Sequence, residues 1–239
     1  MNELLSPNLT AQVANSLGLR IVSGDLKGGD TVTADALQEE YGVSRTVVRE
    51  ALKVLAAKGL VESRTKTGTS ILGEHSWNLL DADVIGWFRQ AGGGLALVSD
   101  LEELRENYEP WAARVAAERR SDSDVVALRR AYTAMVDAAT GEGPDSRNAI
   151  EADLEFHQAI LQATGNAIMI RLGLLIRPVH AIRNEMTLYH DVSVDFLEYH
   201  RLVLEAIDAN NAIDAEDAMK VLLKRSTSDT DKLRTENER

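Results

Sequence analysis

The 239-residue sequence contains no cysteine, which removes several kinds of chemistry at once. Without thiols there is no disulfide framework, no thiolate nucleophile and no cysteine-based metal site. Any metal ion must therefore be held by carboxylates and imidazoles, and the sequence has five histidines. A His-Glu-x-x-His run, a nucleophile elbow and a phosphate-binding loop are absent as well. We therefore expect a protein that is not an enzyme.

Long apolar runs are also missing. No stretch approaches the ~18 consecutive apolar residues of a membrane span. The first seven residues lack the basic start and long apolar core of a signal peptide, so we expect a cytoplasmic protein. A hydrophobic share of 44% and a charged share of 27% are typical of a soluble globular protein of one large or two modest domains.

Positive charge is scarce overall but concentrated in one segment. The formal net charge is −12, yet residues 42–68 hold six basic and two acidic residues, a local balance of +4 that leaves −16 for the remainder. Contact with DNA phosphates depends on local Lys and Arg rather than on total charge. This distribution indicates a nucleic-acid surface confined to one part of the chain.

The basic segment coincides with a predicted helix-turn-helix. Apolar residues recur at helical spacing in residues 8–23, and Thr33 is placed to cap a second helix over 34–41. Gly42 closes that helix and Ser44 caps a third one, so a tight glycine-containing turn joins the two.

The third helix, which we expect to stop at Gly59, has the pattern of a DNA-recognition helix. Arg45, Thr46 and Arg49 lie off its apolar face near the N-terminal end, the end that enters the major groove in helix-turn-helix proteins. Taken alone, the pattern is equally that of an amphipathic helix with solvated arginines.

A β-hairpin wing is predicted next. Residues 60–65 and 70–72 are short strands around a glycine turn, and Arg64 and Lys66 at the tip could reach an adjacent groove or the DNA backbone. Together these elements predict a winged helix-turn-helix domain at residues 1–74.

Beyond this domain the pattern is helical. Residues 75–94 are predicted as a linker with one short helix, capped by Asp81 or Asp83, and residues 95–239 contain no β-rich stretch. The predicted fold class is mainly α: three helices and a β-hairpin wing, followed by an all-helical bundle of six to seven helices. The polar tail from Ser226 is expected to fray. The helical segments are 95–119, 123–139, 146–163, 167–189, 194–209 and 212–233.

Two residues of the helix predicted at 146–163 are candidate metal ligands. Asp153 and His157 are four residues apart and project from one face, and a third ligand could come from His200. A carboxylate with imidazoles suits Zn²⁺, Ni²⁺ or Mn²⁺ better than Ca²⁺. The alternative is that Asp153 and His157 form a hydrogen-bonded pair on the helix surface.

The helix predicted at 167–189 carries a polar stripe. Gly173, Arg177, His180 and Asn184 share one face, whereas the other faces are mostly aliphatic. Such a stripe is typical of a pocket wall for an anion. It is equally typical of the exposed side of a half-buried helix.

Residues 42–52, GVSRTVVREAL, closely resemble the N-terminal domain of GntR-family bacterial transcription regulators. One position departs from the family pattern, since many relatives have an arginine early in the second helix where this chain has Asp35. That departure puts one DNA contact in doubt. The resemblance implies DNA contacts at Ser44, Arg45, Thr46, Arg49 and Gly68.

The helical part resembles the effector-binding domain of the FadR subfamily, and residues 77–84, WNLLDADV, resemble the galactonate and gluconate regulators within it. This resemblance implies an effector-anchoring role for Arg105, whose guanidinium suits a carboxylate. It also implies metal ligation by Asp153, His157 and His200, although relatives commonly supply a further histidine where this chain has Leu222. The matching segments are 103–105 with 109–113, 153–157 with 165–166, and 198–201 with 205–207.

These features together predict a homodimeric repressor that binds an inverted-repeat DNA operator. A small carboxylate, such as gluconate or galactonate, is expected to control its DNA binding. One divalent metal ion is also expected, and Zn²⁺ is the preferred candidate. Alternatives remain: no metal binds and the same residues hold a polyol directly, or the protein is a metal-dependent hydrolase, or a DNA-binding dimer without small-molecule control. The expected effector-binding residues are Arg105, Asp153, His157, Arg177, His180 and His200.

Overall fold

The computed structural model describes residues 8–64, 68–92, 94–143, 146–188 and 195–237. The chain divides into two compact units, Met1–Gly94 and Leu95–Arg239. In these described ranges, no helix combines the length and the apolar character that crossing a membrane requires.

The first unit begins with the three predicted helices. Each starts at a side chain that accepts a hydrogen bond from a backbone N–H of the first turn, namely Asn8, Thr33 and Ser44. Gly42 ends the second helix in the left-handed conformation, with φ of 62°, which makes the tight turn into the third. The helices are α1 (Leu9–Val22), α2 (Ala34–Tyr41) and α3 (Arg45–Ala57).

The predicted wing is part of a three-stranded antiparallel sheet with the order β1-β3-β2. Gly68 opens β3 with φ of 97°, and a Cβ at this position would lie 2.8 Å from the carbonyl oxygen of Val32. Glycine therefore allows β3 to approach β1. The sequence missed β1, because two residues are too few to show the alternation of a strand. The strands are β1 (Thr31–Val32), β2 (Val61–Arg64) and β3 (Gly68–Ile71).

A fourth helix, α4 (Ala82–Gln90), packs on α1 and completes this unit after a short 3-10 helix at Glu74–Ser76. Asp81 caps α4, because its Oδ1 accepts hydrogen bonds from the backbone N–H groups of the first turn. The indole ring of Trp87 is buried against Gly18, where a Cβ would lie 2.6 Å from the ring. The helix within the predicted linker is thus part of the first unit.

The second unit is a bundle of six helices within the described residues, in agreement with the predicted mainly α fold class. Its core is rich in alanine, which lets the helices approach closely, and is filled by larger residues such as Phe156, Met135 and Met219. The last helix continues to Asn237, beyond the predicted end at residue 233. No glycine or proline follows Ala212 to stop it. The helices are α5 (Gly94–Arg119), α6 (Asp122–Gly141), α7 (Arg147–Ala163), α8 (Ala167–Leu188), α9 (Phe196–Asp208) and α10 (Ala212–Asn237).

Candidate DNA-binding surface and histidine cluster

The N-terminal end of α3 presents its polar side chains to solvent. Arg45, Thr46 and Arg49 are exposed, whereas Val48 and Ala51 on the opposite face are fully buried. The Ser44 hydroxyl accepts a hydrogen bond from the backbone N–H of Val47 at 3.4 Å, so this side chain caps the helix. The predicted contact residues of α3 therefore lie together at one accessible helix end.

An open groove of about 910 Å³ runs between this helix end and the sheet. Arg45 and Arg49 line it from α3, and Ser63, Gly68 and Thr69 line it from the wing strands. Lys66, also predicted to contact DNA, lies outside the described residues.

Asp35 faces the same groove and forms an ion pair with Arg45, with Asp35 Oδ1 and Arg45 Nη1 3.6 Å apart. Both side chains are well exposed, at 75% and 64%, so the pair is weak in water. The acidic residue that departs from the family pattern thus lies beside a predicted DNA contact.

A second set of polar residues is buried in the helical bundle. Asp153 and His157 on α7, His180 on α8, His200 on α9 and Arg105 on α5 are each no more than 9% exposed. Asp153 and His157 are therefore not a pair on the helix surface. In the part of the chain that the structure describes, one cluster of His and acidic groups offers ligand atoms within 4.8 Å of one another: Asp153, His157 and His200.

The orientation of His200 leaves a lone pair facing a carboxylate. Its Nδ1–H donates a hydrogen bond to the carbonyl oxygen of Phe196 at 2.8 Å, so Nε2 carries no proton in the neutral ring. Nε2 lies 3.0 Å from Asp153 Oδ1, yet no hydrogen bond joins them. A proton or a metal ion between these two acceptors would relieve their repulsion.

His157 is held between Glu109 and Arg105. Glu109 Oε2 lies 2.8 Å from His157 Nδ1, outside the geometry of a hydrogen bond, and the contact is therefore electrostatic. On the other side of the ring, Arg105 Nη2 lies 3.3 Å from Nε2 and donates to it when the proton is on Nδ1. The Nε2 lone pair of His157 thus faces both Arg105 and Asp153, whose Oδ1 is 3.7 Å away.

Glu109 was missed as a site residue. Arg105 donates to it from Nε at 2.6 Å and from Nη2 at 3.3 Å, so one fork of the guanidinium is already occupied by a protein carboxylate. The remaining nitrogen, Arg105 Nη1, is buried without a hydrogen-bond partner. The spacing of four residues between Arg105 and Glu109 was the available signal.

Charge in the cluster is strongly coupled. Burial alone would raise the pKa of Glu109, but Arg105 and His157 outweigh it and hold that pKa well below its ordinary value. Burial would also raise the pKa of Asp153, and the imidazoles of His157, His200 and His180 lower it instead. Burial lowers the pKa of His180, and the neighbouring Arg105 and His157 lower it further. Two carboxylates are thus kept charged and His180 is kept neutral.

The donor set fits a divalent transition-metal ion. Ligand atoms in a tetrahedral zinc site with bonds of ~2.0–2.1 Å lie about 3.3 Å apart. Around Asp153 Oδ1, the Nε2 atoms of His200 and His157 lie at 3.0 and 3.7 Å, on either side of that value. A metal ion would take the His157 lone pair from Arg105, because the same nitrogen cannot accept both.

Arg177 lies apart from the cluster. It forms ion pairs with Glu155, at 3.0 Å, and with Glu151, which join α8 to α7. With His157, Gly173 and His180 it lines a recess of about 10 Å³, room for one water. A Cβ on Gly173 would collide with Leu161, so this glycine serves the packing of the two helices. The Asn184 side chain lies outside the described part of the structure.

Two family models match the chain. Residues 9–71 match the model described as bacterial regulatory proteins, gntR family, and residues 100–225 match the FCD domain. The first match covers the helix-turn-helix and wing, and the second covers the bundle with the histidine cluster.

The chain is also similar to individual regulators. The galactonate operon transcriptional repressor of Escherichia coli is 31% identical, with 92% of this chain and 96% of that protein covered. The HTH-type transcriptional regulator LutR of Bacillus subtilis is 32% identical, over 83% and 90%. A solved structure of Streptococcus agalactiae GntR has a TM-score of 0.51 and 28% identity, over 91% and 98%. The matching families and relatives are transcription regulators, which confirms the expectation that the chain is not an enzyme.

Proposed function

The chain belongs to the GntR family of bacterial transcription regulators, in the branch with an FCD domain, and from this premise we propose that it is a homodimeric repressor controlled by a small carboxylate. In this proposal residues 1–74 bind DNA, residues 75–94 include α4, which packs on α1, and lead to the second domain, and residues 95–239 bind the effector and dimerise. A two-fold dimer places two α3 helices on an inverted-repeat operator.

The groove at α3 supports the DNA half of this proposal. Arg45 and Arg49 are exposed at the helix N-terminus, and Ser44 and Thr46 lie beside them. Guanidinium groups at this place can pair with guanine edges or phosphates. Lys66 of the wing and the backbone at Gly68 would contact the adjacent DNA backbone.

The effector-binding part of this proposal rests on Arg105, whose Nη1 is buried without a hydrogen-bond partner. A buried guanidinium nitrogen without an acceptor is costly, and an incoming carboxylate would supply the missing oxygen. His180 and His200 also present unpartnered Nε2 atoms, suited to the hydroxyls of a sugar acid or to a metal ion that such hydroxyls complete.

A sugar acid such as galactonate or gluconate is the proposed effector class. The E. coli relative represses a galactonate operon, and its similarity spans almost the whole of both chains. The proposed metal is one Zn²⁺ held by Asp153, His157 and His200, and Arg177 and His180 complete the effector-binding wall from α8.

Binding requires the bundle to open. The recess beside His157 and His180 has room for about one water, which is far less than a six-carbon acid needs. The Arg177 ion pairs that hold α8 to α7 would have to yield. Because the acid then binds only an opened arrangement, it would shift the dimer toward that arrangement and away from DNA.

Calorimetry with a panel of sugar acids tests the effector site. Galactonate or gluconate should bind the wild type and fail to bind Arg105→Ala. Arg114→Ala is the matched control, because Arg114 is on the same helix but pairs at the surface with Glu118. Equal binding to wild type and Arg105→Ala would contradict the proposed site.

A gel-shift assay tests the regulatory role. The acid should release the wild-type protein from operator DNA but leave the Arg105→Ala complex intact. If operator binding is the same with and without every acid, the protein is a DNA-binding dimer without small-molecule control.

A further inference from the structure

His180 is a buried imidazole with an unsatisfied ring nitrogen. It is 4% exposed, and its Nε2 has no hydrogen-bond partner. Asp153 Oδ2 lies 3.6 Å from that nitrogen, too far for a hydrogen bond. An apolar side chain would fill the same space without this cost, so the imidazole needs a partner.

His180 lies beside His157 and Asp153, just outside the group of ligand atoms that all lie within 4.8 Å of one another. Its ring centroid is 5.1 Å from that of His157, and the His157 and His200 centroids are 5.6 Å apart. The three Nε2 atoms lie 3.0, 3.6 and 3.7 Å from oxygens of the single Asp153 carboxylate. His180 is beside Oδ2 and the others are beside Oδ1, so the three nitrogens surround the carboxylate rather than one oxygen of it.

We propose that His180 is the fourth protein ligand of the metal ion held by Asp153, His157 and His200. The inference rests on the metal centre of the proposed function. In the closed bundle His180 would take the fourth position of a tetrahedral zinc shell, so that no ligand from α10 is needed. It would have to leave that position before an effector hydroxyl could bind the metal ion. Leu222, where the family resemblance implies a further histidine, is instead a buried member of the hydrophobic core.

Ligation by His180 would make the metal ion a link between three helices. Asp153 and His157 are on α7, His200 is on α9 and His180 is on α8, the helix that must move for an effector to enter. The metal ion would thus stabilise the closed position of α8.

Metal binding to the full-length protein tests this assignment. Wild type, His180→Gln and His157→Gln are stripped with chelator and titrated with Zn²⁺ against a chromophoric chelator. His75→Gln is the matched control, because His75 is exposed in the first unit. His180→Gln should weaken Zn²⁺ binding by at least ~100-fold, the upper end of what loss of an outer-shell partner costs. His75→Gln should have no effect.

X-ray absorption at the zinc edge provides a second measurement that does not depend on affinity. The wild-type spectrum should require three imidazoles, and that of His180→Gln two. Circular dichroism of the metal-free variants shows whether each remains folded, and the absorption spectrum is interpreted only for folded protein.

The His180 ligand and the metal centre can be contradicted separately. Unchanged zinc affinity and an unchanged imidazole number in His180→Gln, with binding lost in His157→Gln, would overturn the His180 ligand and leave a three-residue site. A wild type that binds operator DNA but no Zn²⁺ would overturn the metal centre and His180 with it, while the DNA-binding role stands.

Discussion

Arg45 carries its charge at the exposed end of α3, and the Asp35 carboxylate lies 3.6 Å from it. A guanidinium that binds DNA must release such a partner or share it. The carboxylate also adds negative charge to the groove that DNA phosphates would approach. It therefore weakens the electrostatic attraction between the arginines and the phosphates. Asp35 can instead accept a hydrogen bond from a cytosine amino group, which would give it a role in sequence selection.

Asp35→Asn should distinguish these roles. If repulsion dominates, operator and scrambled fragments should both bind about two- to fivefold more tightly, as expected for loss of one exposed charge interaction. Fluorescence anisotropy with both fragments measures this. A loss of preference for operator, without tighter binding to scrambled DNA, would mean that Asp35 selects sequence.

Arg45→Ala should act in the opposite direction. Losing a base-contacting arginine costs ~1–3 kcal/mol of discrimination, so the ratio of operator to scrambled affinity should fall. Effector binding measured by calorimetry should not change. Loss of effector binding as well would show that the two functions are not divided between the domains as proposed.

The sequence alone predicts the role of a residue when that role depends only on its neighbours along one helix. Ser44 as a cap and the exposed end of α3 followed from spacing, and so did the shared face of Asp153 and His157. Glu109 was missed because its position against His157 depends on how α5 packs on α7. His180 was predicted as part of a pocket wall, and only the tertiary structure places it beside Asp153.

The contact between α1 and α4 depends on a glycine. Gly18→Ala should destabilise the first unit by ~1–3 kcal/mol, because a methyl group there lies 2.6 Å from the buried Trp87 ring. Gly86→Ala is the control on α4, since no atom lies within 4 Å of its Cβ position. It should stabilise the helix by ~0.5–1 kcal/mol. Urea unfolding measures both, and equal effects would contradict the packing described.

The junction of α3 and α4 depends on charge. Lys58 Nζ lies 2.7 Å from Asp81 Oδ1 and 2.8 Å from Asp83 Oδ2. Burial alone would raise the pKa of Asp81, but hydrogen bonds from Lys58 and from the backbone of α4 lower it. Because the folded-state pKa is below the unfolded one, the charge of Asp81 stabilises the fold above the ordinary carboxyl range and stops doing so as pH falls through the folded-state value.

Asp81→Asn isolates that charge, because asparagine also caps helices well. The variant should lose about 1 kcal/mol of unfolding free energy at pH 7. The difference from wild type should shrink as pH falls below about 4, the ordinary aspartate value, and disappear only below the lowered folded-state pKa. Unfolding in urea at several pH values checks this. A difference that persists in acid would assign the effect to the cap rather than to the charge.

Helix bounds were the most predictable part of these elements. α2 was predicted at its observed bounds because Thr33 and Gly42 mark both ends. α10 was predicted too short, because polarity alone does not stop a helix. That α4 packs against α1 was not predictable, since the contact of Trp87 with Gly18 joins residues far apart in the sequence.

In the whole molecule, the charge distribution separates two tasks. The basic segment 42–68 carries +4 in a chain of net charge −12, so DNA attraction is local and the acidic remainder opposes nonspecific binding. In the proposed effector site, Glu109 balances the charge of Arg105, and imidazoles surround the Asp153 carboxylate.

Control by conformation requires reciprocity. If galactonate weakens operator binding by a given factor, operator DNA must weaken galactonate binding by the same factor, typically about 5- to 150-fold. Calorimetry of the acid should therefore give a lower affinity with saturating operator fragment than with scrambled DNA. In the double variant Glu151→Gln/Glu155→Gln, which keeps Arg177 itself, the closed arrangement loses the ion pairs that join α8 to α7. The acid should then bind more tightly and the operator less tightly. An acid affinity that is indifferent to operator DNA would mean that the acid site does not regulate DNA binding.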